Sequence, residues 1–285
     1  MLHPALFLCA IVFLDKKQCT RLGANDSLAM RIVIGASSVA AALSLNRHRT
    51  KDEVVAELLK KYAPTLKSRP KTTAERAREV IASSPETASA VAAAVSARTD
   101  NGTEAVAVAA TAKRKIERDE TLSPEQKRVA IDHARSAVYS RHGTRNEAVT
   151  CDAIQQQSTE GVRLEKDNSF HELEVCTVGD NTFVIVGRVD RIEVRDDDGT
   201  RTLVEVKNRM HRLFGRIPQY EFIQLQVYLQ LLGLVHGRLV EQHDDEIASY
   251  PVVRDEELWS NELLPGLKGF CIELNSAMHP PEENS

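Results

Sequence analysis

Apolar residues in the first half of the chain recur three and four apart, and from about residue 169 they alternate with polar ones. The first pattern predicts helices and the second half-buried strands. Residues 31–45 read as a turn at Gly35 followed by an Ala-rich helix. Thr50-Lys51-Asp52-Glu53 is a capping box. It opens a helix with the apolar stripe Val54, Val55, Leu58 and Leu59, which Pro64 closes. Ser123-Pro124-Glu125-Gln126 sets an N-cap, a proline at the first helical position and a glutamine at the third. That helix runs to about Tyr139, and His142-Gly143-Thr144 leads into another over 143–157. Strands are expected over 170–178, 182–194 and 201–208, with Asp197-Asp198-Gly199 turning the second into the third. An amphipathic helix over 219–234, strands over 238–242 and 247–253, and a closing helix over about 255–275 complete the pattern. Helices, a strand meander and helices packed on it make an α/β sandwich on one mixed sheet.

Residues 65–122 differ: they are rich in Ala, Ser, Thr, Lys and Arg and hold no aromatic residue. They read as a polar, Ala-rich helical insertion or a linker, without a core of their own.

Composition narrows the functional classes. Apolar residues are 42 % and charged residues 27 % of 285, the balance of a globular chain with ample length for a core. An aromatic content of 5 % argues against an extended base-stacking platform. The net charge of −4 excludes a whole-chain basic clamp. The charge is uneven: residues 60–141 carry sixteen basic and ten acidic side chains, and residues 241–285 carry two and eleven. A nucleic-acid partner would therefore be held by a local patch, and the acidic end would face away from it or mask it. Five scattered cysteines (Cys9, Cys19, Cys151, Cys176, Cys271) show no CxxC or Cys–His spacing. This argues against a zinc knuckle, an iron–sulfur cluster and a disulfide framework. No GxxxxGK[ST] loop for a nucleoside triphosphate is present. An intracellular, reducing location is the simpler expectation. The apolar run at 4–14 is too short to span a bilayer, and Asp15-Lys16-Lys17 follows it where a cleavage site would stand. It reads as a buried segment or loose leader, with targeting or anchoring as the alternative.

The candidate chemistry lies in Gly187-Arg188-Val189-Asp190-Arg191 and Leu203-Val204-Glu205-Val206-Lys207. Glu205 and Lys207 are two apart on a strand and share a face, with Val204 and Val206 on the other. If Asp198-Gly199 is a two-residue turn, Asp190 lies directly across from Lys207 and on the same face. Two carboxylates and an ammonium would then converge. Asp and Glu at short range form a hard oxygen site for Mg²⁺ or Mn²⁺. Such an ion activates water and withdraws charge from a phosphoryl oxygen, and a lysine orients that water or stabilises the developing anion. The plainer reading is a surface hairpin with a cross-strand salt bridge. Gln224 and Tyr228, four apart on one helix face, and Glu147, in a helix start, are further candidates.

In this order and spacing, the residues resemble the PD-(D/E)XK nuclease superfamily, nearest the RecB-like group and the YqaJ, lambda-exonuclease-type viral recombinases. Glu147 matches the first-motif acid, Asp190 the metal-binding aspartate, Glu205 and Lys207 the E-x-K pair, and Gln224 and Tyr228 the Q-x-x-x-Y helix. Ser37, in Ile34-Gly35-Ala36-Ser37-Ser38, is similar to a serine that lies near the DNA backbone in that branch.

The resemblance implies a restriction-endonuclease-like core: a central mixed β-sheet flanked by helices, plus the Ala-rich helical insertion. It divides the chain into a leader (1–29), opening helices (30–64), the insertion (65–122), the nuclease core (123–275) and a disordered tail (276–285). It implies a Mg²⁺- or Mn²⁺-dependent deoxyribonuclease, most simply an exonuclease acting on DNA ends in recombination, repair or replication. Glu147, Asp190, Glu205 and the Val206 carbonyl would hold the ion. Gln224 and Tyr228 would position Lys207, the scissile phosphate or both. Arg145, Arg188, Arg191, Arg209, Arg212 and Arg216 would hold the DNA backbone, with Lys113-Arg114-Lys115 as a further clamp. A toroidal homo-oligomer, or a separate single-strand annealing or helicase partner, would go with that role. The alternative is a catalytically silent nuclease-like fold that binds DNA or protein.

Overall fold

A computed structural model describes residues 29–280. The apolar run at 4–14, Cys9, Cys19 and most of the segment expected as a leader lie outside these residues, as do the last five. Among the described residues no helix is long and apolar enough to cross a membrane.

The chain opens with strand β1 (Arg31–Gly35), a 3-10 turn (Ala36–Ser38) and the short helix α1 (Val39–Ala42). The sequence reading missed β1. Five residues are too few to reveal a period, and Gly35 marks the end of a strand, its backbone extended, where a turn was expected. Helix α2 (Lys51–Tyr62) begins at the Thr50 capping box, in which the Thr50 hydroxyl accepts from the Glu53 N–H at 3.2 Å.

Residues 65–122 hold three helices: α3 (Thr73–Ala82), α4 (Pro85–Ser96) and α5 (Gly102–Arg118). They correct the expectation of a segment without a core. Ala90, Val91, Ala94, Ala105, Ala112 and Ile116 are buried in one cluster with Ala130, Ala134 and Val138 of the next helix. Alanine buries little area per residue but lets helices approach closely, so α3–α5 close the layer without an aromatic residue of their own. Buried Asp119 ties it together by accepting from the hydroxyls of Ser84 and Thr87 and from the Thr121 N–H. These hydrogen bonds hold its carboxyl well below the usual range, that of Ser84 contributing most.

Helix α6 (Pro124–Gln157) is one rod of 34 residues, about 50 Å long, where two helices were expected. Gly143 does not break it because tertiary bonds bridge the weak point. The Asn208 amide donates to the Gly143 carbonyl at 3.2 Å, and the Thr150 hydroxyl donates to Asn208 Oδ1 at 2.7 Å.

Two sheets replace the single mixed sheet expected. One has the order β1-β4-β3, from β1, β3 (His171–Val178) and β4 (Asn181–Gly187), with β1 parallel to β4. The other comprises β2 (Val162–Glu165), β5 (Arg191–Arg195), β6 (Arg201–Asn208), β7 (His236–His243) and β8 (Glu246–Val253). Its order is β2-β5-β6-β7-β8, and only β6 and β7 are parallel. Helix α7 (Gln219–Leu232) is the crossover between that parallel pair. Short α8 (Glu256–Leu258) continues through a π-turn into α9 (Leu264–Met278). The last three residues of that helix correct the disordered tail expected from 276.

The main core packs α1, α2, α7 and α9 against the sheets around Ile34, Phe183, Leu225, Leu239 and Phe270. Val204, Val206 and Val240 face Cys151 and Ile154 of α6 on the opposite side of the five-stranded sheet. The fold is mixed α/β.

Candidate active site

The strand expected over 182–194 is broken at 188–190, and the break builds the site. Gly187, the last residue of β4, stands where the chain has no room for a side chain. A Cβ would stand 2.6 Å from Tyr228 Cε1 and 2.9 Å from the Ala36 Cβ. Past it the chain leaves one sheet and enters the other, and Asp190 turns its Oδ2 onto the Val206 N–H at 2.8 Å.

The hairpin after it also differs from expectation. Its loop is wider than two residues: the Arg195 N–H donates to the Thr200 carbonyl and the Gly199 N–H to the Arg195 carbonyl, both at 3.0 Å, with Gly199 at φ +69°. Arg191 therefore pairs with Val204, two residues out of the expected register, and Asp190 does not lie across from Lys207. Since strand faces alternate with period two, this displacement keeps Asp190 on the face of Glu205 and Lys207.

The face is tightly bonded. Lys207 Nζ donates to Glu205 Oε1 at 2.7 Å and lies 3.5 Å from Gln224 Oε1. Gln224 Nε2 donates to Glu205 Oε1 at 3.0 Å and to the Tyr228 hydroxyl at 3.1 Å. Parallel pairing of β6 with β7 fixes the depth of the acid and amine, and the crossover helix brings Gln224 and Tyr228 over them. Four of the expected residues thus meet in one hydrogen-bonded group, and Asp190 adjoins it through Val206.

Electrostatics follow from burial. Desolvation pushes the Asp190 carboxyl up to about 7, the charge of Glu205 pushes the same way, and the Val206 N–H and Lys207 oppose them. Burial, the largest single influence, works to discharge Lys207, but the Glu205 carboxylate bonded to it, Asp190 and Glu221 together outweigh burial and raise its pKa. Lys207 is thus a fixed ammonium, suited to donating hydrogen bonds and unsuited to removing a proton. Burial first, then Glu205, pushes the Tyr228 hydroxyl up as well, so Tyr228 stays a neutral hydroxyl.

The fit of a divalent cation turns on Glu205. It is 4 % exposed, and its Oε2 is buried without a hydrogen-bond partner. An anionic oxygen left so is costly unless a cation meets it. Asp190 and Glu205 supply hard oxygens suited to Mg²⁺ or Mn²⁺, and Mg²⁺ needs only one or two carboxylates when water and a substrate phosphate complete its shell. The residues fit. The three-carboxylate site does not form, however. Among the described residues no group of three or more His, Cys, Asp or Glu side chains is placed to hold a metal ion. Glu147 is turned away to Arg191, whose Nη1 donates to Glu147 Oε1 at 3.1 Å and to the Asp190 carbonyl at 2.6 Å.

The cationic residues divide. Arg191 and Arg209 are each 8 % exposed and committed to carboxylates, which corrects their reading as DNA-backbone contacts. Arg209 donates to Glu221 at 2.7 and 2.6 Å and to Glu241 at 2.6 Å. Arg188, Arg212, Arg216 and Ser37 are exposed and Arg145 is half-buried. Lys113, Arg114 and Lys115 lie exposed on α5. Glu221 and Glu241 were missed in the sequence. The available signal was parity: Glu241 stands two residues from Leu239 on β7, so it shares the buried face.

No curated protein sequence matches the chain. Among solved structures, SSO0001 is 18 % identical with a TM-score of 0.34, over 70 % of this chain and 84 % of that one. The alkaline exonuclease LHK-Exo from Laribacter hongkongensis is 15 % identical with a TM-score of 0.38, over 70 % of this chain and 94 % of that one. The same exonuclease in complex with dAMP is 14 % identical with a TM-score of 0.38, over 67 % and 88 %. A family model described as the PD-(D/E)XK nuclease superfamily matches residues 41–263. With its D…ExK residues on one sheet face and the QxxxY pair of α7 bonded over them, the chain belongs to the PD-(D/E)XK nuclease superfamily and has its restriction-endonuclease-like fold.

Proposed function

We propose that this protein is a divalent-cation-dependent deoxyribonuclease that hydrolyses phosphodiester bonds at DNA ends. The observation that carries this reading is the buried, unpartnered Glu205 Oε2 beside Asp190, with Lys207 bonded to the same carboxylate. Asp190, Glu205 and the Val206 carbonyl would hold Mg²⁺ or Mn²⁺, which supplies a more acidic water and a charge sink for the phosphoryl oxygens.

The chain's own groups do the rest. Lys207, kept as an ammonium, donates to the attacking water or to a non-bridging phosphate oxygen, where negative charge grows in the transition state. Gln224 fixes Glu205 and, through its carbonyl, Lys207, while Tyr228 fixes Gln224. Locked rotamers of this kind keep the donors aimed before substrate arrives. Glu147 would act from outside the cation site, by holding Arg191 against the Asp190 backbone. Arg188, Arg212 and Arg216 would contact phosphates without reading sequence.

Action at ends, in recombination, repair or replication, rests on the resemblance of the motif set to the RecB-like and lambda-exonuclease-type branch. The test is to incubate the protein with linear and with covalently closed circular DNA, in Mg²⁺ and in EDTA. Degradation of linear DNA alone, and only with Mg²⁺, is expected. Equal degradation in EDTA would refute cation dependence, and nicking or linearising of circles would refute action at ends.

A further inference from the structure

A cleft of about 500 Å³ opens at the start of α7. Its walls include Arg47, Arg212, Phe214, Arg216 and Tyr220. The three arginines are exposed, and among the described residues none has a carboxylate partner. Arg47 donates only to the His48 ring, at 3.0 Å. Phe214 is 40 % exposed, an unusual state for a large apolar ring. A water-facing ring among three uncompensated guanidiniums matches a ligand with both a π-face and negative charge.

The cleft is built, not incidental. The loop that carries Arg212, Phe214 and Arg216 is anchored by the buried Arg209–Glu221–Glu241 cluster, and the Phe214 N–H donates to Glu241 Oε2 at 2.9 Å. The Arg209 guanidinium lies 4.0 Å from the Phe214 ring centroid, supporting the ring from behind. Tyr220 is held at the opposite side by an edge contact with His48, centroids 5.3 Å apart.

Position along α7 links this cleft to the candidate active site. Tyr220, Gln224 and Tyr228 are each four residues apart, so they form one stripe with steps of roughly 6 Å. Tyr220 lines the cleft, and Gln224 and Tyr228 bond to one another over Glu205.

We infer that the cleft between Arg212–Arg216 and Tyr220 is a subsite for an unpaired nucleotide next to the reacting phosphate, its base stacked on Phe214 and its phosphates held by Arg47, Arg212 and Arg216. The inference rests on the proposed nuclease reading and adds to it a preference for single-stranded flanks. Stacking on an aromatic ring accepts every base, and guanidinium contacts to phosphate carry no sequence information, so the subsite is sequence-tolerant.

The test measures binding of the full chain to short DNA in EDTA, so that no turnover is needed. The probes are a single strand containing 2-aminopurine and a blunt duplex of the same sequence. Wild-type protein should quench the 2-aminopurine. Phe214→Ala should remove the quenching and weaken single-strand binding by roughly tenfold or more, the usual worth of one stacked base. Duplex binding should change less than twofold. Phe214→Tyr, which keeps the ring, should restore quenching, and this separates stacking from a general loss of fold. Joint Arg212→Gln and Arg216→Gln substitution should flatten the salt dependence of binding. Quenching that persists in Phe214→Ala, an equal loss on duplex, or no quenching by wild type would each overturn the subsite. Failure of the nuclease reading would show separately, as intact linear DNA in Mg²⁺ alongside normal quenching in EDTA.

Discussion

Asp190 is the residue on which the site's protonation depends. Its carboxyl, pushed up to about 7 by burial and by Glu205, ionises well above the roughly 3.9 of an unfolded chain. For an acid whose folded value is raised, the associated stability is fully present below the unfolded value. It is lost as pH rises through about 7. Without divalent cations, wild type should therefore lose thermal stability between about pH 4 and 7 relative to Asp190→Asn, which carries no ionisable group there. Cation affinity should run the other way, rising up to tenfold per pH unit below about 7 and levelling above it, because the ion competes with one proton. Parallel melting curves for the two proteins across that range would contradict this electrostatic picture.

The facing of Asp190, Glu205 and Lys207 was legible from sequence because parity survives a register error of two. The fate of Glu147 was not. Spacing places a carboxylate on a helix but does not show that a buried arginine from the neighbouring strand will claim it. The same holds for Arg209, read as a surface cation and found between two buried carboxylates.

At the scale of elements, the hinge between β4 and β5 is the feature the fold turns on. Alternation runs on through residues 182–194, so the sequence reads as one strand. The break follows Gly187, where α7 packs against the backbone too closely for any side chain. Gly187→Ala should cost roughly 1–3 kcal/mol of stability in urea denaturation, as crowding against Tyr228 forces the helix or hinge to shift. Because Tyr228 fixes Gln224, cleavage should fall along with stability. An alanine variant as stable as wild type would show that the contact at Gly187 is slack. The capped helix α2 and the strands β6, β7 and β8 were legible because local signals and packing agree there. β1 and β2, at five and four residues, gave no usable period.

For the molecule as a whole, the alanine-rich layer is joined to strands β6 and β7 in two ways. Helix α6 gives Ala130, Ala134 and Val138 to the layer's core and Cys151 and Ile154 to the cluster under β6 and β7. The loop after β6 adds Met210 to the layer, and His211 meets Tyr139 edge-on with centroids 6.2 Å apart. A polar composition suggested a separable insertion, since the burial of small residues between helices leaves no mark in hydropathy. These shared elements predict one calorimetric unfolding transition for the full chain. Two resolved transitions would mean that α3–α5 unfold on their own.

The most direct measurement of the central claim is cleavage of end-labelled linear DNA in Mg²⁺ by wild type and by Lys207→Ala, each first shown to be folded by circular dichroism. The ammonium beside Glu205 is assigned to stabilising the charge that develops on the phosphate, so its removal should lower the cleavage rate by about 10²–10³-fold. A Lys207→Ala protein that degrades DNA at the wild-type rate would contradict the account.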